Sequence, residues 1–269
     1  AFPEFIDRIP FYGLAVLCIE DAEVRALAEE MPRHCITYGF GADADVRASA
    51  VMQSGGRMHF TLHLPDGNSQ DIVLNLPGRH NVLNALAAAA VAWQLGVTRA
   101  DIAAALRKFE GIGRRFNIKG ELALRQGSAL LVDDYGHHPT ELAAVFEAAR
   151  GGWPDKRLVV AFQPHRYSRT RDLFDEFSAV LSTADAVVLT DVYAAGEPPI
   201  QGADSKSLAR SIRARGRLDP VLVGAARELR DVLGDVLHDG DLLLMMGAGD
   251  IGAVSGQLAA HGLNLEPNP

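Results

Sequence analysis

This chain has almost no cysteine. Cys18 and Cys35 are the only two in 269 residues, too few for a disulfide framework, and a reduced, cytoplasmic compartment fits that usage best. Long apolar runs are absent too: nowhere do about 18 apolar residues follow one another, which excludes a membrane-spanning helix. Basic residues are the minority, 26 Lys and Arg against 34 Asp and Glu, and the net charge of -8 argues against broad binding along a nucleic-acid backbone. Ala1-Phe2-Pro3-Glu4-Phe5 has neither an initiator Met nor a signal-peptide layout, so the chain reads as the interior of a longer protein. No G-x-x-x-x-G-K-[ST] string occurs, which removes a phosphate loop of that kind.

What is present is enough for about two domains, each with a proper core: 48% of residues are hydrophobic and 22% charged. Leu14–Ile19 and 36–40 read as short strands around a helix over 20–30. The segment 45–76 is alternating and turn-rich. Its runs 59–64 and 71–76 flank Asp66-Gly67 and predict a β-hairpin. Ala-rich helices follow over 81–95 and 101–109. Gly111-Ile-Gly-Arg-Arg-Phe116 breaks the pattern and is the expected hinge, dividing the chain into 1–114 and 115–269. Beyond it, strands over 129–132, 157–162, 186–190, 221–223 and 242–246 alternate with helices, the clearest over 171–181, 205–215, 227–237 and 251–261. That rhythm predicts an α/β fold with a parallel, doubly wound sheet. The tail, 264–269, is expected to fray.

The chemistry-bearing residues cluster where such a sheet binds ligands, at strand exits. Asp133-Asp134-Tyr135-Gly136-His137-His138-Pro139 follows one apolar strand, with Pro139 suited to the first turn of a helix. Asp134 there could accept a ribose hydroxyl. The same segment offers Asp and His as metal ligands, although neighbours on an extended chain point to opposite faces, which weakens convergence on one ion. A self-satisfied turn is the plain alternative. Gln163-Pro-His165-Arg166-Tyr-Ser-Arg169-Thr-Arg171 follows another strand and makes a local positive patch for a carboxylate or phosphate. Basic residues run against the dipole preference of a helix start, which suggests another purpose. Asn81 and Asn84, beside His80, lie one turn apart and could meet a purine edge, or one Asn could simply cap the helix. Arg114-Arg115 is either a phosphate fork or a solvated basic turn. Gly247-Ala-Gly249-Asp-Ile-Gly252 has the spacing of a dinucleotide loop, yet no later strand follows to supply a ribose-binding acid, so a tight strand–helix turn fits better.

Together, PFYG (10–13), LPGRHNVLNA (76–85), GIGRRF (111–116), VDDYGHHPTE (132–141), FQPHRYSRTRD (162–172), VYAAGEPPIQGADS (192–205) and GAGDIG (247–252) resemble the Mur ligases of bacterial peptidoglycan synthesis. The likeness covers essentially the whole chain. It implies a later portion of the family's central ATP-binding domain over 1–114 and its Rossmann-like C-terminal domain over 115–269. It implies ATP and Mg2+ as cofactors, UDP-N-acetylmuramate and L-alanine as substrates, and an acyl phosphate that the amine attacks. By resemblance, His80, Asn81 and Asn84 would contact adenine, Arg115 the phosphates and Asp134 the ribose. His165, Arg166 and Arg169, with Tyr135 and His137 nearby, would line the substrate carboxylates. The catalytic set implied is Arg115, His165, Arg166 and Arg169. The family's phosphate loop and Mg2+ ligands would precede Ala1, so the chain as it stands is expected to be inactive as a ligase. Two competing readings are a metal-dependent hydrolase built on Asp133, Asp134, His137, His138 and His165, and a non-catalytic nucleotide-binding module using the Gly247 loop.

Overall fold

The computed structural model describes residues 4, 6, 8–31 and 35–263; the tail over 264–269 lies outside them. The chain divides into two compact units, Ala1–Glu110 and Gly111–Pro269.

The first unit contains β1 (Ala15–Cys18), α1 (Ala22–Glu30), β2 (Cys35–Gly39), β3 (Val46–Ser54), β4 (Arg57–His63), β5 (Ser69–Leu74), α2 (Arg79–Gln94) and α3 (Arg99–Lys108). Its sheet runs β1-β2-β3-β4-β5, parallel as far as β3 and antiparallel beyond it. The expected hairpin is β4–β5. The long β3, hidden within the turn-rich reading of 45–76, is an added strand whose register breaks between Ser49 and Met52, where Ala50 takes a φ of 51°. Alternating side chains of β3–β5, among them Val46, Phe60, Leu62, Ile72 and Leu74, pack against Val82, Leu86 and Ala89 of α2 and Ile102 of α3. On the other side of the sheet, Ala15 and Leu17 of β1 and Cys35 of β2 pack with Val24 and Leu27 of α1, so burial on both sides of β1 and β2 helps hold this unit together.

The second unit contains β6 (Asn117–Ala123), β7 (Ser128–Asp134), α4 (Pro139–Gly152), β8 (Leu158–Phe162), α5 (Tyr167–Asp172), α6 (Phe174–Leu181), β9 (Ala186–Leu189), α7 (Ser205–Ala214), β10 (Val221–Leu222), α8 (Leu229–Val236), β11 (Leu242–Met246) and α9 (Ile251–His261). The sheet order is β10-β9-β8-β11-β7-β6. All pairs are parallel except β6–β7. Successive β11 residues face opposite layers: Leu242, Leu244 and Met246 join α4, α6 and α7 on one side, and Leu243 and Met245 join α8 and α9 on the other. Both faces are therefore dry, which is why β7, β8 and β11 read as unbroken apolar runs.

Two details depart from expectation. Antiparallel β6 was not foreseen, because most of its side chains are exposed and it lacks an apolar run. The single helix expected over 171–181 is two, α5 and α6, parted at Leu173, whose φ of -119° leaves the helical region. Among the described residues, no helix is long and apolar enough to cross a membrane.

Candidate active site

The order β9-β8-β11-β7 places four strand exits side by side, because β11 returns between β7 and β8. A crevice at such a reversal is where open α/β sheets bind ligands. Two of these exits, those of β7 and β8, carry the polar strings.

At the β7 exit, Asp133 and Asp134 are both buried. Asp134 accepts two backbone bonds, from Phe116 N at 2.7 Å and Gly136 N at 2.6 Å. Burial raises its pKa above the usual carboxylate value, opposed by those two bonds. The carboxylate thus ties two turns together in addition to any ligand role. Burial raises Asp133 as well, opposed by the Arg114 cation, whose Nε lies 3.5 Å away. His138 caps α4, its Nδ1 accepting from Thr140 N at 3.3 Å. Glu141 completes the capping box by accepting from His137 N at 2.8 Å and His138 N at 3.1 Å. Burial works against the Glu141 charge, but these bonds and the charges of His137 and Arg115 prevail and lower its pKa. Arg115, exposed, reaches Glu141 at 3.4 Å.

At the β8 exit, Arg166 sits at a φ of 71°, a left-handed conformation that a residue with a side chain keeps only when its surroundings hold it. Its N–H donates to Tyr193 O at 2.9 Å, and its carbonyl accepts from Thr170 N and Oγ1 at 3.1 and 2.9 Å. Arg169 turns back on His165, its Nη1 lying 3.2 Å from both Nδ1 and the carbonyl. Burial, then the Arg169 cation with its neighbours His137 and Arg166, lower the His165 pKa below 6.5, so its ring is neutral at neutral pH. Rings continue across the exits: Tyr135 to His137 at 5.4 Å, His137 to His165 at 5.7 Å, and His165 to Tyr193 at 5.5 Å. The structure therefore brings Arg115, Asp134, Tyr135, His137, His165, Arg166 and Arg169 to neighbouring exits of one sheet. Tyr193, Glu141 and Glu197 join them unforeseen. Glu197 accepts from Ser168 N at 2.9 Å and Ser168 Oγ at 2.7 Å, and its Gly-Glu-Pro-Pro setting gave no chemical signal of that.

In the first unit, α2 begins after Gly78, whose φ of 95° only glycine adopts easily. Neither Asn is the cap. Asn81 is buried and donates Nδ2 to Pro77 O at 2.7 Å, while its Oδ1 accepts from Asn84 at 3.3 Å. Asn84 is exposed and His80 half-buried.

Neither competing reading gains support from the geometry. Among the described residues no group of His, Cys, Asp or Glu could hold a metal ion: Asp133 faces Arg114, Asp134 is bonded to backbone and His138 is a cap. The Gly247 loop is filled by the protein itself. A Cβ on Gly247 would lie 2.7 Å from Gln163 O, one on Gly249 would lie 2.8 Å from the Tyr193 ring, and one on Gly252 would strike the Arg114 guanidinium.

Residues 114–249 match the family model described as Mur ligase, glutamate ligase domain, and residues 1–92 match that of the Mur ligase middle domain. A curated UDP-N-acetylmuramate–L-alanine ligase from Stenotrophomonas maltophilia (strain K279a) is 67% identical over 99% of this chain and 56% of its own. One from Xanthomonas campestris pv. campestris (strain B100) is 66% identical over 97% and 55%. The solved UDP-N-acetylmuramate-alanine ligase MurC from Thermotoga maritima superposes with a TM-score of 0.72 at 28% identity, covering 92% of this chain and 51% of that one. A murein peptide ligase from Psychrobacter arcticus shares the fold at 20% identity, with a TM-score of 0.65 over 96% of this chain and 53% of its own. The chain spans about half the length of the curated relatives it matches. With the sheet order, the strand-exit arginines and both domain matches in agreement, the chain belongs to the Mur ligase family.

Proposed function

We propose that this chain forms the middle and C-terminal parts of an ATP-dependent ligase that joins L-alanine to UDP-N-acetylmuramate, a cytoplasmic step of peptidoglycan synthesis. The observation that carries the reading is the cation-rich exit of β8, where Arg166 and Arg169 surround a neutral His165. Two carboxylates and a developing phosphate are what such a patch would hold. It is supported by the name that relatives of 66–67% identity carry.

ATP would supply the phosphoryl group that activates the muramoyl carboxylate. The residues fit an anionic nucleotide: Arg115 is an exposed cation, and Asn84 exposes its amide at the start of α2. In this proposal Arg115 holds phosphate, and His80, Asn81 and Asn84 hold adenine, with Asn81 acting through its bond to Asn84. Asp134 accepts from the ribose through lone pairs not used by Phe116 and Gly136. Arg166 and Arg169 orient the two substrate carboxylates, while Tyr135 and His137 wall the same exit. His165 accepts from Arg169 at Nδ1, so its neutral ring offers Nε2–H to the same exit as a hydrogen-bond donor. Among the described residues no group of His, Cys, Asp or Glu could hold Mg2+, and the roles above are those of this chain's own side chains. The working division is 1–114 for the part of the middle domain and 115–269 for the C-terminal domain.

The test is titration of ATP with Mg2+ into this chain and into one extended N-terminally to the length of its relatives, followed by assay of phosphate release with both substrates. Binding that strengthens on extension, with alanine-dependent release, is expected. Equal tight binding by both, without release, would overturn the reading.

A further inference from the structure

Residues 114–116 form an arch that the second unit holds from several sides. Arg114 and Phe116 have φ values of 61° and 42°, which side-chain-bearing residues keep only where neighbours over-determine them. The Arg114 carbonyl accepts from Tyr135 N at 2.7 Å, and Phe116 N donates to Asp134 Oδ2 at 2.7 Å. The Arg114 side chain reaches further. Nη2 donates to the Gly247 carbonyl, Nε lies 3.5 Å from buried Asp133, and Cζ stands 4.9 Å from the Tyr135 ring centroid. It occupies the space beside Gly252 that a Cβ would take. Arg115 approaches the same Tyr135 ring, with its Cζ 5.6 Å from the centroid, but remains exposed.

We propose that Arg114 is a positioning residue: its guanidinium, seated beside Gly252, fixes the 114–116 arch so that Arg115 presents its charge to nucleotide phosphate. The inference rests on the ligase reading above. It gives the third glycine of the Gly247 loop a reason, since that glycine makes room for an arginine rather than a cofactor. It also explains why an arginine is needed. Only a planar fork can donate to a carbonyl, pair with a carboxylate and stack on a ring at once.

Two substitutions disturb the seat from opposite sides. Arg114→Ala empties it, and Gly252→Ala fills it. Gly256→Ala, on the same helix α9 with open space around its Cβ, is the control. Alanine is the better helix former, so neither glycine variant is expected to unfold. KM for ATP is measured in the N-terminally extended chain. Trp153 emission is measured in this chain with Trp93→Phe, because Trp153 stacks on Phe116 at 5.7 Å with planes 8° apart. Arg114→Ala and Gly252→Ala are each expected to raise KM for ATP by about tenfold, the worth of one charge-assisted hydrogen bond. kcat should change less, and Trp153 emission should shift in both, while Gly256→Ala does neither. Folded Arg114→Ala and Gly252→Ala with unchanged KM and unchanged Trp153 emission would overturn the proposal, as would a loss of kcat without a change in KM. If the extended parent neither binds nor turns over ATP, the ligase reading fails instead. Trp153 emission alone then decides whether Arg114 holds the arch.

Discussion

His165 and Tyr193 stack with planes 10° apart, and the backbone pairs them as well, through a parallel bridge at the same two residues. The ring of Tyr193 thus shields one face of the His165 imidazole. The segment after β9 that carries Tyr193 is tied to the β8 exit by backbone bonds as well, Arg166 N to Tyr193 O at 2.9 Å and Tyr193 N to Pro164 O at 2.8 Å.

This stack sets a pH response. Burial is the largest cause of the low His165 pKa, with Arg169 next, so Tyr193→Ala and Arg169→Gln should each raise it toward 6.5. Histidine NMR titration reads the midpoint. The sign for stability follows: a histidine whose folded pKa is depressed takes up protons more readily when unfolded, so it lowers stability as pH falls below about 6.5. Urea midpoints at neutral and mildly acidic pH should differ less in either variant than in the parent. An unmoved NMR midpoint in both variants would remove Tyr193 and Arg169 as its cause.

Asp134→Asn keeps the shape of the side chain but turns one acceptor into a donor facing Phe116 N–H or Gly136 N–H. Leaving one buried backbone donor unpaired should cost about 1–3 kcal/mol. Chemical denaturation of the second unit, followed by Trp153 fluorescence, measures it. A variant as stable as the parent would show that the two backbone bonds are dispensable.

The two asparagines of α2 should separate. Asn81→Ala strands the buried carbonyl of Pro77 and should lower stability by about 1–3 kcal/mol. Asn84→Ala, at an exposed position, should leave the melting curve unchanged while weakening nucleotide binding to the extended chain. Equal effects of both on stability would place Asn84 in the fold rather than in a site.

At the opposite end of the second sheet, Arg157 contacts Asp241 at 2.8 Å and also donates to Val236 O at 2.7 Å. Asp241 is 2% exposed. Arg157→Ala would leave that buried carboxylate with the His238 N–H but without its cation, at a cost of about 3 kcal/mol. Since none of the proposed site residues touches this pair, KM values in the extended chain should hold at temperatures where the variant is folded. A change in KM without loss of stability would contradict the separation.

Much of this was legible in the sequence, and the limits have physical causes. Pro139 after two histidines marked the start of α4, and Asp66-Gly67 marked the β4–β5 hairpin, because both are local preferences of the backbone. The strings after β7 and β8 marked the candidate site, because charged residues directly beyond a dry strand are conspicuous. β6 was illegible: an exposed edge strand carries no apolar pattern. The break at Leu173 was hidden within a continuous helical periodicity. The direction of Asp134 was illegible too, since a sheet covered on both faces buries either of two successive side chains. Arg114 read as a phosphate fork or a solvated turn, and its seat was hidden because its carbonyl partner, Gly247, lies 133 residues further along, a distance over which local pattern is silent.

The Gly247 loop has a consequence for anyone redesigning this molecule. A glycine fingerprint records that something comes close, without naming the visitor, and here the visitors are native: Gln163, Tyr193 and Arg114. Grafting a dinucleotide site onto this turn would mean evicting all three. Two of them are tied to the arch and to the imidazole stack, so a gained cofactor would arrive together with a lost arrangement of the neighbouring exits.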